Sequence, residues 1–440
     1  MGRFNNVRAV ALAPAVEAVP PAPAVTPGAA RDSSPGQRAG FALLCIFTIS
    51  AYANEFATRI FHVKAYVSTV SWVLLPLLLV LSGNFIRPFR DKMAWLWTLF
   101  LIWILLATPF SVWRGGSVDL LLEYVPRGWI QLFYFAAFAI SVKHLRRLMF
   151  FLTAADVLLL IDCFWGGSTA NGRLEIPDSM FFRNANDLSL QLIIAITQFL
   201  FLLYQPQVWV RAAGVAGMAA ALVFMLETGA RGAFIAILLL AAAGVLLSRH
   251  RPRLVLIGVP AVAVALLLVP SGVFHRLTLF EPGDDARSAA SALDQAALGS
   301  QTQRLALLRQ SVQTALSHPL VGVGPGQFAV AASAELAEQG KPAPWLGTHN
   351  SYTEVASECG LPAFFLYTSV IVIAFFSNLR IYRRAADGGA SALAFCLFAS
   401  TFVYAVCTFF FHIAYSSYLP AIAGMSIALR LAVERRDRPA

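Results

Sequence analysis

Apolar runs of about 20 residues, each long enough to cross a hydrocarbon core about 30 Å thick as a helix, recur along most of this 440-residue chain. The runs place spans at residues 39–53, 66–82, 94–112, 128–142, 148–165, 186–204, 209–226, 232–248, 254–270, 361–379, 391–411 and 416–432. That makes about twelve, enough for one bundle. Composition agrees, since 58% of residues are apolar and 13% charged, far from the soluble average. The expected fold class is an all-α polytopic membrane protein. Its one long water-soluble loop, residues 271–356, should contain short helices.

The cations set the orientation, because Lys and Arg resist translocation and collect in cytoplasmic loops close to helix ends. With the N-terminus inside, the cytoplasmic face receives Arg87, Arg90 and Lys92; Lys143, Arg146 and Arg147; Arg211; Arg249, Arg251 and Arg253; Arg380, Arg383 and Arg384; and the cluster from Arg430 to Arg438. The short loops of the other face hold only Arg59, Lys64, Arg114, Arg127, Arg173, Arg183 and Arg231. The net charge of +10 is thus a topology signal, and nucleic-acid binding is set aside. Both termini are expected to be cytoplasmic. Residues 1–38, rich in Pro, Ala and Val, read as a disordered tail, and residues 433–440 as a second short tail. No cleavage pattern precedes residue 39, so the first span is expected to stay as an anchor. Spans one to nine then occupy residues 39–270 and spans ten to twelve residues 357–432, with the loop between them on the extracytoplasmic side.

The five cysteines, Cys45, Cys163, Cys359, Cys396 and Cys407, lack CxxC spacing and fall mostly in spans, which makes them small core residues with no structural disulfide. Cys359 is expected at the outer face. The seven histidines show no HxxxH or HExxH spacing, and no metal or other cofactor is expected.

The chemistry-bearing residues cluster on the outer side. FFRNANDLSL, just before span six, packs Arg183, Asn184, Asn186 and Asp187 together. The amides and the acid suit a helix start, whereas a cation at a helix N-terminus opposes the helix dipole, so Arg183 points to an anion. ETGARGAF holds Arg231 at the bilayer edge, where a cation needs compensation; Gly229 and Gly232 beside it are expected to leave room for a bulky ligand. In the loop, TQRLALLRQSVQTALSHPL carries Leu305, Leu308, Val312 and Leu316 at helical spacing. This amphipathic helix should lie against the bundle or the outer leaflet and present Arg304. VGVGPGQF lacks the Lys and Ser/Thr of a phosphate loop, so its glycines serve a tight bend. His349 then precedes a short helix in which Ser351 and Glu354 have capping-box spacing, Gly360 suits a stop and Pro362 suits the next helix start. An imidazole at the membrane edge, in the loop that also supplies Arg304, suits deprotonating a hydroxyl beside a bound anion.

FFRNANDL, TGARGAF, Arg304 on a loop helix, HPLVGVGPGQF and HNSYTEVASECGLP, in this order, make the chain resemble the bacterial O-antigen ligase and polymerase superfamily. The resemblance covers roughly residues 180–380. It implies a metal-independent glycosyltransferase of the bacterial inner membrane with a periplasmic site. The donor would be an O-antigen on undecaprenyl diphosphate and the acceptor a sugar of lipid A-core, with membrane lipids around it and no nucleic acid. The family's essential loop histidine maps to His349 and its paired arginines to Arg231 and Arg304. Arg183 is a further diphosphate contact and Arg127, in VPRGW, a candidate of the same type. Asn184, Asn186, Asn350 and Glu354 are supporting candidates, and Glu354 or Glu358 could orient the imidazole. An O-antigen polymerase or a protein O-oligosaccharyltransferase would share the donor. The ligase is favoured because protein-glycosylating relatives tend to carry a second histidine near the loop one, and here Thr348 precedes His349. A lipid or anion transporter is the alternative from another class.

Overall fold

The computed structural model describes residues 34–62, 67–170, 173–177, 179, 182, 184–247, 292–340 and 345–436. In order, the helices are α1 Pro35–Phe61, α2 Val67–Leu81, α3 Lys92–Ala107, α4 Arg114–Tyr124, α5 Gln131–Phe138, α6 Val142–Gly166, α7 Ala185–Phe199, α8 Val208–Glu227 and α9 Arg231–Leu247. Then follow α10 Ala292–Ser317, α11 Phe328–Glu338, α12 Ser351–Arg384, α13 Gly388–Cys407 and α14 Tyr418–Arg436. A two-stranded antiparallel hairpin, β1 Ser168–Ala170 and β2 Arg173–Glu175, separates α6 from α7. Six of the described helices are long and apolar enough to cross a membrane, namely Lys92–Phe110, Val142–Gly166, Ala185–Tyr204, Val208–Glu227, Ser351–Arg384 and Gly388–Cys407. Val70–Leu81 and Arg231–Leu246 are shorter apolar helices. The expected ninth span, the tail before residue 34 and residues 271–291 lie outside the described residues.

Helix starts follow local capping chemistry. Ser34 accepts the Gln37 amide at 3.2 Å with Pro35 at the first helical position, so α1 begins four residues before the expected span. Asp91, Ser141 and Asn184 cap α3, α6 and α7 in the same way. The expected single span at 128–142 is not one helix. A helical path instead runs from α4 through a π turn at Val125–Trp129 into α5, which ends after eight residues. Pro126 has no amide to donate to the ladder, which loosens the turn. Gly128 lets the Tyr124 ring lie where a Cβ would sit 2.6 Å away, and Ser141 then starts α6 afresh.

The inner helices are α7 and α13. Of the apolar windows, 78% of that in α7 and 72% of that in α13 is buried, against 22% for α8. Side-chain hydrogen bonds join helices where apolar packing alone gives little preference over lipid. Thr197 Oγ1 meets Ser400 Oγ at 2.7 Å, Tyr367 OH meets Tyr404 OH at 2.7 Å, and Asn378 Nδ2 donates to Ser426 Oγ at 2.8 Å. All five cysteines are buried, and Cys359 packs against the Tyr415 hydroxyl at 3.3 Å. At one end of the bundle Arg430 pairs with the buried Asp91 at 2.7 Å. The opposite ends of α12, α13 and α14 carry the loops described next.

Candidate active site

The helix α12 opens with His349 in front of it, and the α13–α14 connection, residues 408–417, folds over that opening. The expected capping box does not form. Asn350 is the cap, its Oδ1 accepting the amides of Tyr352 and Thr353 at 3.0 Å each. Ser351, one residue too late to cap, points its hydroxyl across the bundle instead. It donates to the Phe411 carbonyl at 2.7 Å and accepts the Ile413 amide at 2.8 Å. Glu354 Oε2 takes the Ala414 amide at 3.1 Å, Asn350 Nδ2 reaches the Phe409 carbonyl at 3.3 Å, and the Ser351 amide donates to the Thr408 carbonyl. Both flanks of residue 412 are therefore pinned to the first turn after His349.

This zipper brings a second imidazole to His349. The rings of His349 and His412 meet edge to face, with centroids 4.9 Å apart and planes at 85°. Gly347 makes the approach possible, since a Cβ there would lie 2.9 Å from His412 Cδ2. His349 itself has φ 52°, in the left-handed region that non-glycine residues enter rarely and more often at functional positions. Thr348, buried next to it, donates to the Asn350 carbonyl at 3.0 Å and so fixes the turn.

Glycines set the floor below. Gly322, Gly324 and Gly326 all have positive φ, and Gly360, also positive at φ 81° and ψ 173°, kinks α12 into a short outer helix and a long inner one. The expected bend and helix stop are both present. The Val323 amide donates to Ser357 O at 2.9 Å, that of Gly324 to Glu358 O at 2.8 Å, and that of Leu361 to Pro319 O at 2.8 Å. Glu358 holds this interlock, accepting from the Gly326 amide at 2.7 Å, the Phe328 amide at 3.2 Å and the Tyr415 hydroxyl at 2.8 Å. Glu354 and Glu358 thus brace loops rather than orient the imidazole. Removing the Glu358 carboxylate leaves three donors without their acceptor, so Glu358→Ala is expected to cost about 3 kcal/mol or more. The expected readout is a lower thermal midpoint in detergent, with Glu358→Gln falling less; an unchanged midpoint would show that the interlock carries no stability.

The arginines come from three elements. Arg304 lies on α10, close enough to His349 to oppose its protonation. The side of α10 turned to the protein carries Leu307, Ser311 and Ala315, with Ser311 Oγ donating to Thr353 Oγ1 at 2.9 Å. Leu305, Val312 and Leu316 of the expected stripe are exposed. Arg231 opens α9, and Gly232 beside it does not leave ligand space. Phe410 fills that space, where a Cβ on Gly232 would lie 2.6 Å from Phe410 Cβ. The connection that carries His412 therefore also abuts the start of α9. Arg127 pairs with Glu123 at 3.3 Å, both side chains more than half exposed, next to Gly128, where a Cβ would lie 3.5 Å from Ser416 O of the α13–α14 connection. Arg183 lies outside the described residues.

Asn184 caps α7 through the Asn186 and Asp187 amides at 2.8 and 3.2 Å, the helix-start role its sequence context suggests. Asn186 Oδ1 accepts from Arg173 Nη2 at 2.7 Å, and Arg173 Nε donates to the Thr228 carbonyl at 2.7 Å. Arg173, one loop cation among several in the sequence, thus ties FFRNANDL to the arginine turn. His412 and Arg173 are the two residues that sequence reasoning missed. No local pattern marks either one.

Electrostatics follow from this packing. Burial first, then the neighbouring His412 and Arg304, push the His349 imidazole down from its ordinary value near 6.5 to about 4. This shift favours the neutral imidazole, the form with a ring nitrogen open to a proton. A neutral imidazole with the Arg304 guanidinium nearby suits taking a hydroxyl's proton next to a bound anion.

Residues 216–368 match the family model described as O-Antigen ligase. This segment, roughly a third of the chain, is similar to the O-antigen ligase family. No curated protein matches the chain. The O-antigen ligase segment takes in Arg231, Arg304, the glycine interlock and His349, whereas Arg127, Arg173, Arg183 and His412 lie outside it. Members of that family are glycosyltransferase-like enzymes working on lipid-linked polysaccharide; the present chain is a membrane protein.

Proposed function

We propose that this protein is an O-antigen ligase. It transfers polysaccharide from undecaprenyl diphosphate to a sugar of lipid A-core on the periplasmic face of the inner membrane. The observation that carries this reading is a half-buried His349, held edge to face by His412 and beside Arg304 at one end of a helical bundle, within the segment similar to O-antigen ligases. His349 accepts the proton of the acceptor hydroxyl as that oxygen forms a bond to the anomeric carbon. The bond from that carbon to the diphosphate breaks, with inversion, and the diphosphate leaves with the electron pair. Arg231, Arg304 and Arg183 stabilise the charge that develops on it, since guanidinium groups match phosphate oxygens in geometry and charge. No cofactor takes part in these steps.

The test is transfer by purified protein in detergent from undecaprenyl-diphosphate-linked glycan to lipid A-core, followed by gel shift, with and without a chelator. Modified lipid A-core in both arms supports a metal-independent ligase. Donor chain lengthening or peptide modification would move the acceptor assignment to a polymerase or a protein-modifying enzyme. Absence of reaction with every acceptor would favour transport.

A pH dependence follows from the same geometry. The folded protein holds His349 at about 4 while the unfolded chain releases its proton near 6.5, so protonation favours the unfolded state. The stabilising share of a neutral His349 is complete above about 6.5 and is lost as pH falls toward 4. The acid limb of kcat/KM is expected near pH 4, with activity flat from about 5.5 upward. An acid limb centred near 6.5 would rule out the buried neutral base.

A further inference from the structure

The proposed mechanism uses one histidine, yet the structure spends several polar groups fixing another. His412 is exposed, although backbone on both sides of it is tied down by Ser351 and by Glu354, and its ring rests over Gly347. A connection between two helices needs no such anchoring to close. What the anchoring does is hold one imidazole edge to face against another, at 4.9 Å and 85°. The His349 side chain starts from a left-handed backbone, so the ring has a wall on the His412 side and needs one, because its base nitrogen must meet the hydroxyl at a set angle.

We infer that His412 is a positioning residue for the transfer, holding the His349 ring in its reactive plane from a second loop. The inference rests on the ligase reading for its assay, but not for its geometry. The charged groups that bear on His349 come from two elements besides its own, Arg304 on α10 and His412 on the α13–α14 connection. On α12, Glu354 is turned to the Ala414 amide and Glu358 to the glycine interlock. His412 thus acts on His349 through contact and charge together, and substitution can separate the two.

His412→Gln fills the space over Gly347 without an aromatic edge, and His412→Phe keeps the edge without a titrating nitrogen. Steady-state transfer should show His412→Gln lowered about 10- to 100-fold in kcat with acceptor KM within about twofold of wild type. His412→Phe should recover most of that loss. The thermal midpoints in detergent should match wild type within a few degrees. In parallel, histidine-labelled protein in nanodiscs, titrated by NMR, should show His349 taking up its proton at higher pH in His412→Gln and in His412→Phe. Both variants with wild-type kcat would overturn the inference, as would a raised KM at unchanged kcat, which would make His412 a substrate-binding group. The spectra need no substrate, so a His349 ring resonance unmoved in His412→Gln, where the edge-to-face ring is gone, shows that the two rings do not touch and overturns the positioning role whatever the acceptor proves to be. Failure of wild-type transfer alone overturns only the ligase reading.

Discussion

Purified His349→Ala protein is expected to transfer glycan about 10²- to 10⁴-fold more slowly than wild type, the range that general-base help supplies, with donor affinity and thermal midpoint close to unchanged. The substitution removes the proton acceptor, while the contacts that build the site belong to its neighbours. Asn350 caps α12, Ser351 and Glu354 hold the 408–414 backbone, and Glu358 holds the glycine turn. Folding should therefore survive, although Ala, which also carries a Cβ, keeps the left-handed strain at residue 349. The check is single-turnover transfer together with donor binding measured separately. Loss of binding with normal turnover would remove His349 from the chemistry and make it a donor contact.

The largest effect on stability is expected at Gly360. Its φ of 81° and ψ of 173° belong to a region that only glycine occupies without strain, and a Cβ there would overlap the Leu320 carbonyl and lie 2.9 Å from Pro319 O. The obstacle is backbone, which cannot swing aside. Gly360→Ala should therefore cost about 3 kcal/mol or more, summing backbone strain and overpacking, and should lower the thermal midpoint or the yield of folded protein in detergent. Gly244→Ala is the control, because nothing lies within 4 Å of the position and its backbone is helical; it should be neutral or slightly stabilising. A Gly360→Ala midpoint equal to that of the control would disprove the interlock between residues 319–326 and the kink of α12.

These expectations differ in how far the sequence alone supports them. Where a property depends on residues within one or two turns, it was readable in advance. Apolar runs marked α3, α6, α7, α8, α12 and α13 as spans, because the length of hydrocarbon to be crossed is fixed. Asn184 ahead of α7 and Gly360 with Pro362 in α12 were legible for the same local reason. The pairing of Arg304 with His349 was also in view, since both belong to one polar loop between spans.

Only the tertiary structure decided what closes around His349. The Ala414 amide that Glu354 holds lies 60 residues away, Tyr415 lies 57 from Glu358, and Thr228 lies 55 from Arg173, so no periodicity or spacing links them. Ser351 and Glu354 show why local reading failed at that point. Their spacing suits a capping box, but Asn350 took the cap and left both side chains for a loop that the sequence places one helix pair later. Gly232 likewise reads as open space until Phe410 packs into it. Sequence determined which of the described helices are long and apolar enough to cross a membrane and that His349 and Arg304 share one polar loop. The packing of α12 against α13 and α14 determined that His349 has a second imidazole at its edge, because a contact between distant backbones exists only once the helices have docked.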